Sequence, residues 1–339
     1  MNNEPLRRSV VLARRPDGEP RVEDFEIRED VIPNPGPGEV LTRAILLSVD
    51  PYQRGRISGR ASYAKPVEIG GVMEGETLGE VIASHDPRFK PGDIVTGARG
   101  WQSHTISRAG GLALVDRAAA PLGAFLGVLG MPGTTAYSGM TDIGQPKAGE
   151  TVVISAASGA VGSVAGQIAK RAGARVVGIA GGADKCLWVQ ETLGFDACID
   201  HRAQNMDSAL AEACPKGIDV YFENVGGAVQ HAVFAQLNPF ARVIMCGMVA
   251  QYNDKEFAPG PNLGFVVGKR VRIEGLIVSD KPHRFAEWRS LASPWVKDGS
   301  LHYRETVVDG LENAAEALIL LLRGGNFGKM LVRVGPDSV

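Results

Sequence analysis

Thr151-Val-Val-Ile-Ser155, Ala156-Ala-Ser-Gly-Ala-Val-Gly162 and Ser163-Val-Ala-Gly-Gln-Ile-Ala-Lys-Arg-Ala-Gly173 form one unbroken stretch, and its reading decides the architecture. The first segment is a continuous apolar run of strand length, the pattern of a strand buried on both faces. The last has the spacing of an amphipathic helix and ends in a glycine suited to a helix C-terminus. The segment between them consists of small residues. A tight strand-to-helix turn of this kind lets backbone N–H groups approach a pyrophosphate at the positive end of the helix. The usual first glycine of G-x-G-x-x-G is replaced by Ala157, so the motif alone also fits an ordinary glycine-rich turn. Its context favours dinucleotide binding.

That context lies downstream. Apolar runs followed by helical patterns recur as ARVVGIA (174–180) with DKCLWVQETLG (184–194), FDACID (195–200) with NMDSALAEAC (205–214), IDVYFENV (218–225) with AVQHAVFAQL (228–237), and then ARVIMCG (241–247). Strands alternating with helices predict an α/β fold, a doubly wound parallel sheet of Rossmann type. Upstream, from Val40 to Val115, short β-favouring runs (VLTRAILLSV, GEVIAS, DIVTG, SHTIS) alternate with turn clusters (NPGPGE, FKPGD, RAGG), which predicts a small β-rich domain. After residue 300, LHYRETVVDG, the helical run LENAAEALILLLRGG and the strand KMLVRV predict a tail that returns to the first domain. The apolar face of that last helix, with Leu318, Ile319, Leu321 and Leu322, is read as core.

Composition narrows the function. The chain has 339 residues, 44% hydrophobic and 22% charged, with a net charge of -2, enough for two buried cores and without the field that gathers nucleic acid or anionic lipid. No apolar segment of signal-peptide type stands among the first thirty residues, and prolines and glycines interrupt the most apolar stretch, Ala118 to Tyr137. A cytoplasmic protein without a membrane partner is expected. Cys186, Cys198, Cys214 and Cys246 make no C-x-x-C pair, so neither a disulfide framework nor a zinc knuckle is expected. The histidines form no metal or triad pattern.

The cofactor is expected to be NADPH. Past the strand ARVVGIA, where an NAD enzyme places an acidic partner for the ribose, the chain reads Gly181-Gly-Ala-Asp-Lys185. A lysine in a first helical turn opposes the helix dipole, and a 2′-phosphate gives it a reason to be there. His201 and Arg202 are candidates for a second basic wall.

With SVDPYQR (48–54), GMPGTTAY (130–137), AASGAVGSVAGQIAK (156–170), ENVGG (223–227), CGMVAQYN (246–253) and GGNFGK (324–329) in this order, the chain resembles the zinc-independent medium-chain dehydrogenase/reductases of the prostaglandin reductase, alkenal double-bond reductase and bacterial curcumin reductase type. The resemblance implies a Rossmann domain (126–299) inserted in a GroES-like β-rich substrate domain made of 1–125 and 300–339, and a homodimer. It implies NADPH contacts from the turn Gly159, Ala160, Val161 and Gly162, from Lys185, and from Asn224. It extends them to the loop that runs from Cys246 and Gly247 to Tyr252, and to Asn326. His201 stands where some relatives have a tyrosine beside the 2′-phosphate; an imidazole can still hydrogen-bond phosphate.

Zinc alcohol dehydrogenases of the same superfamily use a Gly-His-Glu turn and a four-cysteine lobe. Here the corresponding turn, Val72-Met-Glu-Gly-Glu-Thr-Leu-Gly79, has no histidine, and every cysteine follows residue 185. Without a Lewis acid, alcohol oxidation loses its main device, whereas hydride addition to an α,β-unsaturated aldehyde or ketone needs only a hydrogen-bond donor at the carbonyl oxygen. Tyr52 and Tyr252 are the candidate donors, together with the cofactor's own ribose hydroxyl; each tyrosine also reads as a packed aromatic, in a turn and beneath the nicotinamide respectively. Ene-reduction is the leading expectation, quinone reduction the second, and a non-catalytic NADPH-binding regulator the third.

Overall fold

The computed structural model describes residues 6–203, 205–256 and 258–337; the chain ends of the expected substrate domain, at residues 1 and 339, lie outside them. The chain divides into two compact units, one built from both ends of the chain, with boundaries in sequence at 126/127 and 304/305.

In the first unit, β1 (Leu6–Leu12) and β2 (Phe25–Val31) pair antiparallel. β3 (Glu39–Val49) is the longest strand and is buried along nearly its whole length, as its run of aliphatic residues requires. It leads through α1 (Tyr52–Arg56) to β4 (Glu76–Ser84), β5 (Ile94–Arg99), β6 (His104–Arg108) and β7 (Ala113–Leu114).

The second unit opens with α2 (Met131–Ser138), which carries proline in its first turn where no N–H is missed. Then β8 (Thr151–Ser155), α3 (Gly162–Arg171), β9 (Arg175–Ala180), α4 (Ala183–Glu191), β10 (Ala197–Asp200), α5 (Met206–Ala213), β11 (Ile218–Glu223), α6 (Gly227–Ala235) and β12 (Leu237–Met245) alternate as the sequence predicts. Gly173 and Gly194 both take the left-handed conformation, φ 80° and 70°, past the ends of α3 and α4. After α7 (Gly264–Lys269) comes a strand the sequence reading did not anticipate, β13 (Arg272–Gly275), and then α8 (His283–Lys297). The six strands lie parallel in the order β10-β9-β8-β11-β12-β13, the doubly wound sheet expected. Val153, Val177, Ile199, Tyr221 and Val243 fill one of its faces against Leu210, Val229 and Val233.

The chain then returns to the first unit as β14 (Glu305–Asp309), α9 (Ala314–Leu322) and β15 (Lys329–Arg333). β15 pairs antiparallel with β3, which completes a sheet of order β14-β15-β3-β4-β5-β7 with β6 on β3. Leu318 is buried in that unit's core with Leu47, Val49, Trp101 and Met330, and Leu321 and Leu322 pack against it. The apolar stretch 118–137 holds a short 3-10 turn at Leu122–Leu126 and most of the eight-residue α2, and among the described residues no helix is long and apolar enough to cross a membrane.

Candidate active site

β8 lies at the centre of the sheet, with β9 on one side and β11 on the other, so the chain reverses its winding at the carboxyl end of β8. This is where open parallel sheets bind ligands. There the backbone turns through Ala156, which takes a left-handed φ of 51°. Gly159 N donates to Ala156 O at 2.9 Å, and Ser163 N to Gly159 O at 3.0 Å as α3 begins. A Cβ on Gly162 would lie 2.4 Å from Ala156 O, so only glycine fits. Gly159, Ala160 and Val161 are half-exposed, and no side chain caps α3 at Val161. Ala157, standing where the first motif glycine is usual, is fully buried and donates its N–H to Ile179 O at 3.0 Å.

A basic corner stands at the ends of β9 and β10. A Cβ on Gly181 would lie 2.8 Å from both His201 Nε2 and Arg202 Nε. Desolvation and the Arg202 charge hold Lys185 below the usual lysine range; the same two causes, in the same order, lower His201. Asp200 fixes the corner, its Oδ1 accepting from Gly182 N at 2.9 Å and Arg202 N at 3.0 Å. His201 and Arg202 thus crowd one glycine, and the Arg202 charge disfavours a proton on both His201 and Lys185. A bound anion would relieve that repulsion.

A third group forms at the ends of β8, β11 and β12. Asn224 donates through Nδ2 to Ser155 O at 2.8 Å and through its backbone N to Ser155 Oγ at 2.8 Å. Cys246 N and Gly247 N donate to Glu223 O at 2.9 and 3.1 Å, and Val249 N and Ala250 N to Asn224 O and Val225 O at 3.1 and 2.9 Å. The 246–252 loop is thereby laid along residues 223–225. The Tyr252 hydroxyl accepts from Met248 N at 3.4 Å, and a Cβ on Gly247 would lie 3.1 Å from that oxygen. Burial and then the Glu223 charge push the Cys246 thiol up to about 12, so it is no nucleophile.

Glu223, which the sequence reading passed over, organises this group. Its Oε1 accepts from Ser155 Oγ at 3.0 Å, Val225 N at 2.7 Å and Gly226 N at 3.0 Å, and burial holds its carboxyl above the usual range. The available signal was a carboxylate ending the otherwise apolar strand run IDVYFE.

Tyr52 and Asn326 belong to the first unit. Tyr52 opens α1, and burial, followed by the Asp50 charge, raises its phenol well above the ordinary value. The turn that carries it is anchored by Asp50, which accepts from Lys329 Nζ at 2.8 Å and from Ser48 Oγ, while Lys329 also donates to Val49 O at 2.7 Å. Asn326 Nδ2 donates to Gly328 O at 2.7 Å, closing the turn before β15. The Asp50–Lys329 pair therefore joins the two motifs SVDPYQR and GGNFGK, and sequence reasoning missed it. The structure brings Gly159–Gly162, Asn224, Cys246, Gly247 and Tyr252 to one edge of one sheet, with Lys185 and His201 at the same edge, and sets Tyr52 and Asn326 on the other unit.

Residues 8–115 match a family described as the N-terminal domain of oxidoreductase, and residues 160–297 one described as zinc-binding dehydrogenase. Among the described residues no three of His, Cys, Asp and Glu are grouped to hold a metal ion. The chain is 50% identical to the NADPH-dependent curcumin reductase of Escherichia coli (strain K12), with 98% of each chain covered. It is 38% identical to the 2-alkenal reductase (NADP(+)-dependent) of Nicotiana tabacum, over 99% of this chain and 100% of the relative. The crystal structure of CurA from Vibrio vulnificus in complex with NADPH superposes with a TM-score of 0.92 at 47% identity, covering 97% of this chain and all of that one.

Proposed function

The chain belongs to the medium-chain dehydrogenase/reductase superfamily, in the branch of the curcumin, alkenal and prostaglandin reductases, and from that premise we propose that it reduces the carbon–carbon double bond of α,β-unsaturated aldehydes and ketones with NADPH. The observation that carries the cofactor is the basic corner: His201 and Arg202 crowd Gly181, and the Arg202 charge lowers the proton affinity of both Lys185 and His201, an arrangement suited to a 2′-phosphate.

When bound, NADPH supplies the hydride that adds to the β-carbon. Gly159, Ala160, Val161 and Gly162 hold the pyrophosphate, because the turn leaves backbone N–H groups exposed at the positive end of α3. Lys185 and His201 bind the 2′-phosphate. Asn224, fixed through Ser155, shapes the nicotinamide side with Cys246, Gly247 and Tyr252, and Asn326 is a further candidate cofactor contact. Tyr52 remains a neutral phenol because burial disfavours its anion, so it can donate to the carbonyl oxygen as charge gathers there. The Tyr252 hydroxyl, which accepts a backbone N–H from Met248, is the second candidate donor.

A second copy of the chain is the expected assembly, checked by light scattering. The four cysteines, all free, suit the reducing cytoplasm. The decisive experiment follows NADPH consumption by the purified protein with a simple enone or enal, beside NADH, a benzoquinone and a saturated ketone, with product identification. Formation of the saturated carbonyl from the enone is the expected outcome. Turnover confined to the quinone, or tight NADPH binding without turnover of any of these, refutes the proposal.

A further inference from the structure

Two cysteines meet beside the basic corner. Cys198 of β10 stands in register with Gly178 of β9, and residues in register on parallel strands point to the same face. That face carries α4, since a Cβ on Gly178 would lie 2.9 Å from Val189 Cγ1. Cys186 and Val189 lie three residues apart on α4 and so share its inner side. The two thiols stand close enough that each alters the other's affinity for a proton. That contact holds Cys186 below the usual thiol range, while the same contact and burial push Cys198 above it. Cys186 is buried with 7% of its surface accessible, and Cys198 is half-buried.

We propose that Cys186 and Cys198 form a peroxide-sensitive dithiol whose oxidation to a disulfide weakens NADPH binding. The Cys186 thiolate attacks one peroxide oxygen, the O–O bond breaks, and with one proton taken up water leaves and a sulfenic acid forms. The Cys198 sulfur then attacks the Cys186 sulfur; the S–O bond breaks, the thiol proton leaves with the hydroxyl as a second water, and the S–S bond closes. Two electrons pass from the thiols to the peroxide. The coupling to the cofactor follows from position. Cys186 directly follows Lys185, and Asp200, two residues past Cys198, holds Gly182 N and Arg202 N. Drawing two contacting sulfurs to the bonded distance of about 2.05 Å shifts the first turn of α4 against β10, and Lys185 moves with it. This coupling rests on the reading of Lys185 as a 2′-phosphate ligand; the disulfide does not.

The test treats the reduced full-length protein with hydrogen peroxide, maps cross-linked peptides by mass spectrometry, and measures NADPH and NADH affinity before oxidation, after it, and after dithiothreitol. The expected result is a Cys186–Cys198 peptide, a Kd for NADPH raised about tenfold as the Lys185 contact is weakened rather than lost, and full recovery on reduction, with NADH changed less than about twofold. Cys198→Ala and Cys186→Ala should bind NADPH as the reduced wild type does and ignore peroxide. The wild-type peptide map decides the matter even if a variant folds poorly. Sulfinic acids without the cross-link, or a cross-link that leaves NADPH affinity unchanged, overturns the proposal. A cross-link in a protein whose reduced form never bound NADPH overturns the cofactor reading and leaves the dithiol assigned.

Discussion

Replacing Lys185 by alanine probes the basic corner most directly. Lys185 is half-buried, and desolvation together with Arg202 lowers its affinity for a proton; a 2′-phosphate supplies the counter-charge. A hydrogen bond to a charged group contributes about 1.5–3 kcal/mol, and partial exposure places this contact in the lower half of that range. About 2 kcal/mol corresponds to roughly a thirtyfold weaker NADPH complex, at about 1.4 kcal/mol for each factor of ten. Two terms oppose each other in the variant: the phosphate contact is lost, and the repulsion of Arg202 in the free protein is relieved. Only the first distinguishes the two cofactors, because NADH lacks the phosphate. Fluorescence titration should therefore show NADPH affinity falling about thirtyfold and NADH affinity within about threefold of wild type. Added salt should narrow the NADPH difference, since the corner is open to solvent on the His201 and Arg202 side. Equal losses for both cofactors would mean that Lys185 supports the helix rather than the phosphate, and an unchanged NADPH Kd would remove it from the site.

Further outcomes follow from single contacts. In Gly162→Ala the new methyl would stand 2.4 Å from Ala156 O where ordinary contact begins at 3.4 Å, so the turn must open by about 1 Å; we expect about 1–3 kcal/mol of destabilisation in thermal unfolding and loss of NADPH binding by titration. Lys329→Met should cost about 3–5 kcal/mol in denaturant unfolding because it strands Asp50, buried to 8% exposure, without its partner, and adding Asp50→Asn should restore much of the loss. Tyr52→Phe should lower kcat/KM for an enone about a hundredfold to a thousandfold with NADPH affinity unchanged, and because the wild-type phenol is raised, no loss of rate from its ionisation should occur up to the ordinary phenol range near pH 10. Burial works upward on Asp142, but hydrogen bonds from Lys281 and Arg284 leave its carboxyl below the ordinary value; the stability it contributes is complete above the unfolded value of about 3.9 and is lost as pH falls through the folded one. The gap in unfolding free energy between wild type and Asp142→Asn should thus be constant at neutral pH and close in acid.

Much of the fold was legible because its signals are local. The βα alternation from Thr151 to Gly247 is written in five-residue apolar runs and helical spacing, and the Gly173 and Gly194 stops need only their own φ angles. β13 escaped notice because Arg272–Gly275 is short, mostly exposed and mixed in polarity; it is a strand only because β12 lies beside it. The turn motif was legible as a set of small residues, yet the left-handed position falls on Ala156, one residue before the substituted glycine, and the need for Gly162 comes from the Ala156 carbonyl.

The sequence by itself determined the order of elements, the placing of a small-residue turn between strand and helix, and a lysine past the second strand of the sheet. Each is a property of neighbouring residues, and periodicity and steric freedom suffice to read it. Tertiary structure alone decided that His201 and Arg202 close on Gly181, that Glu223 ties Ser155 to the 225–226 backbone, that Cys198 faces Cys186, and that Lys329 neutralises Asp50 from 279 residues away. Such pairs leave no local trace. A buried charge or thiol acquires its partner from the packing of distant strands, and its proton affinity is set by that partner and by the water excluded around them.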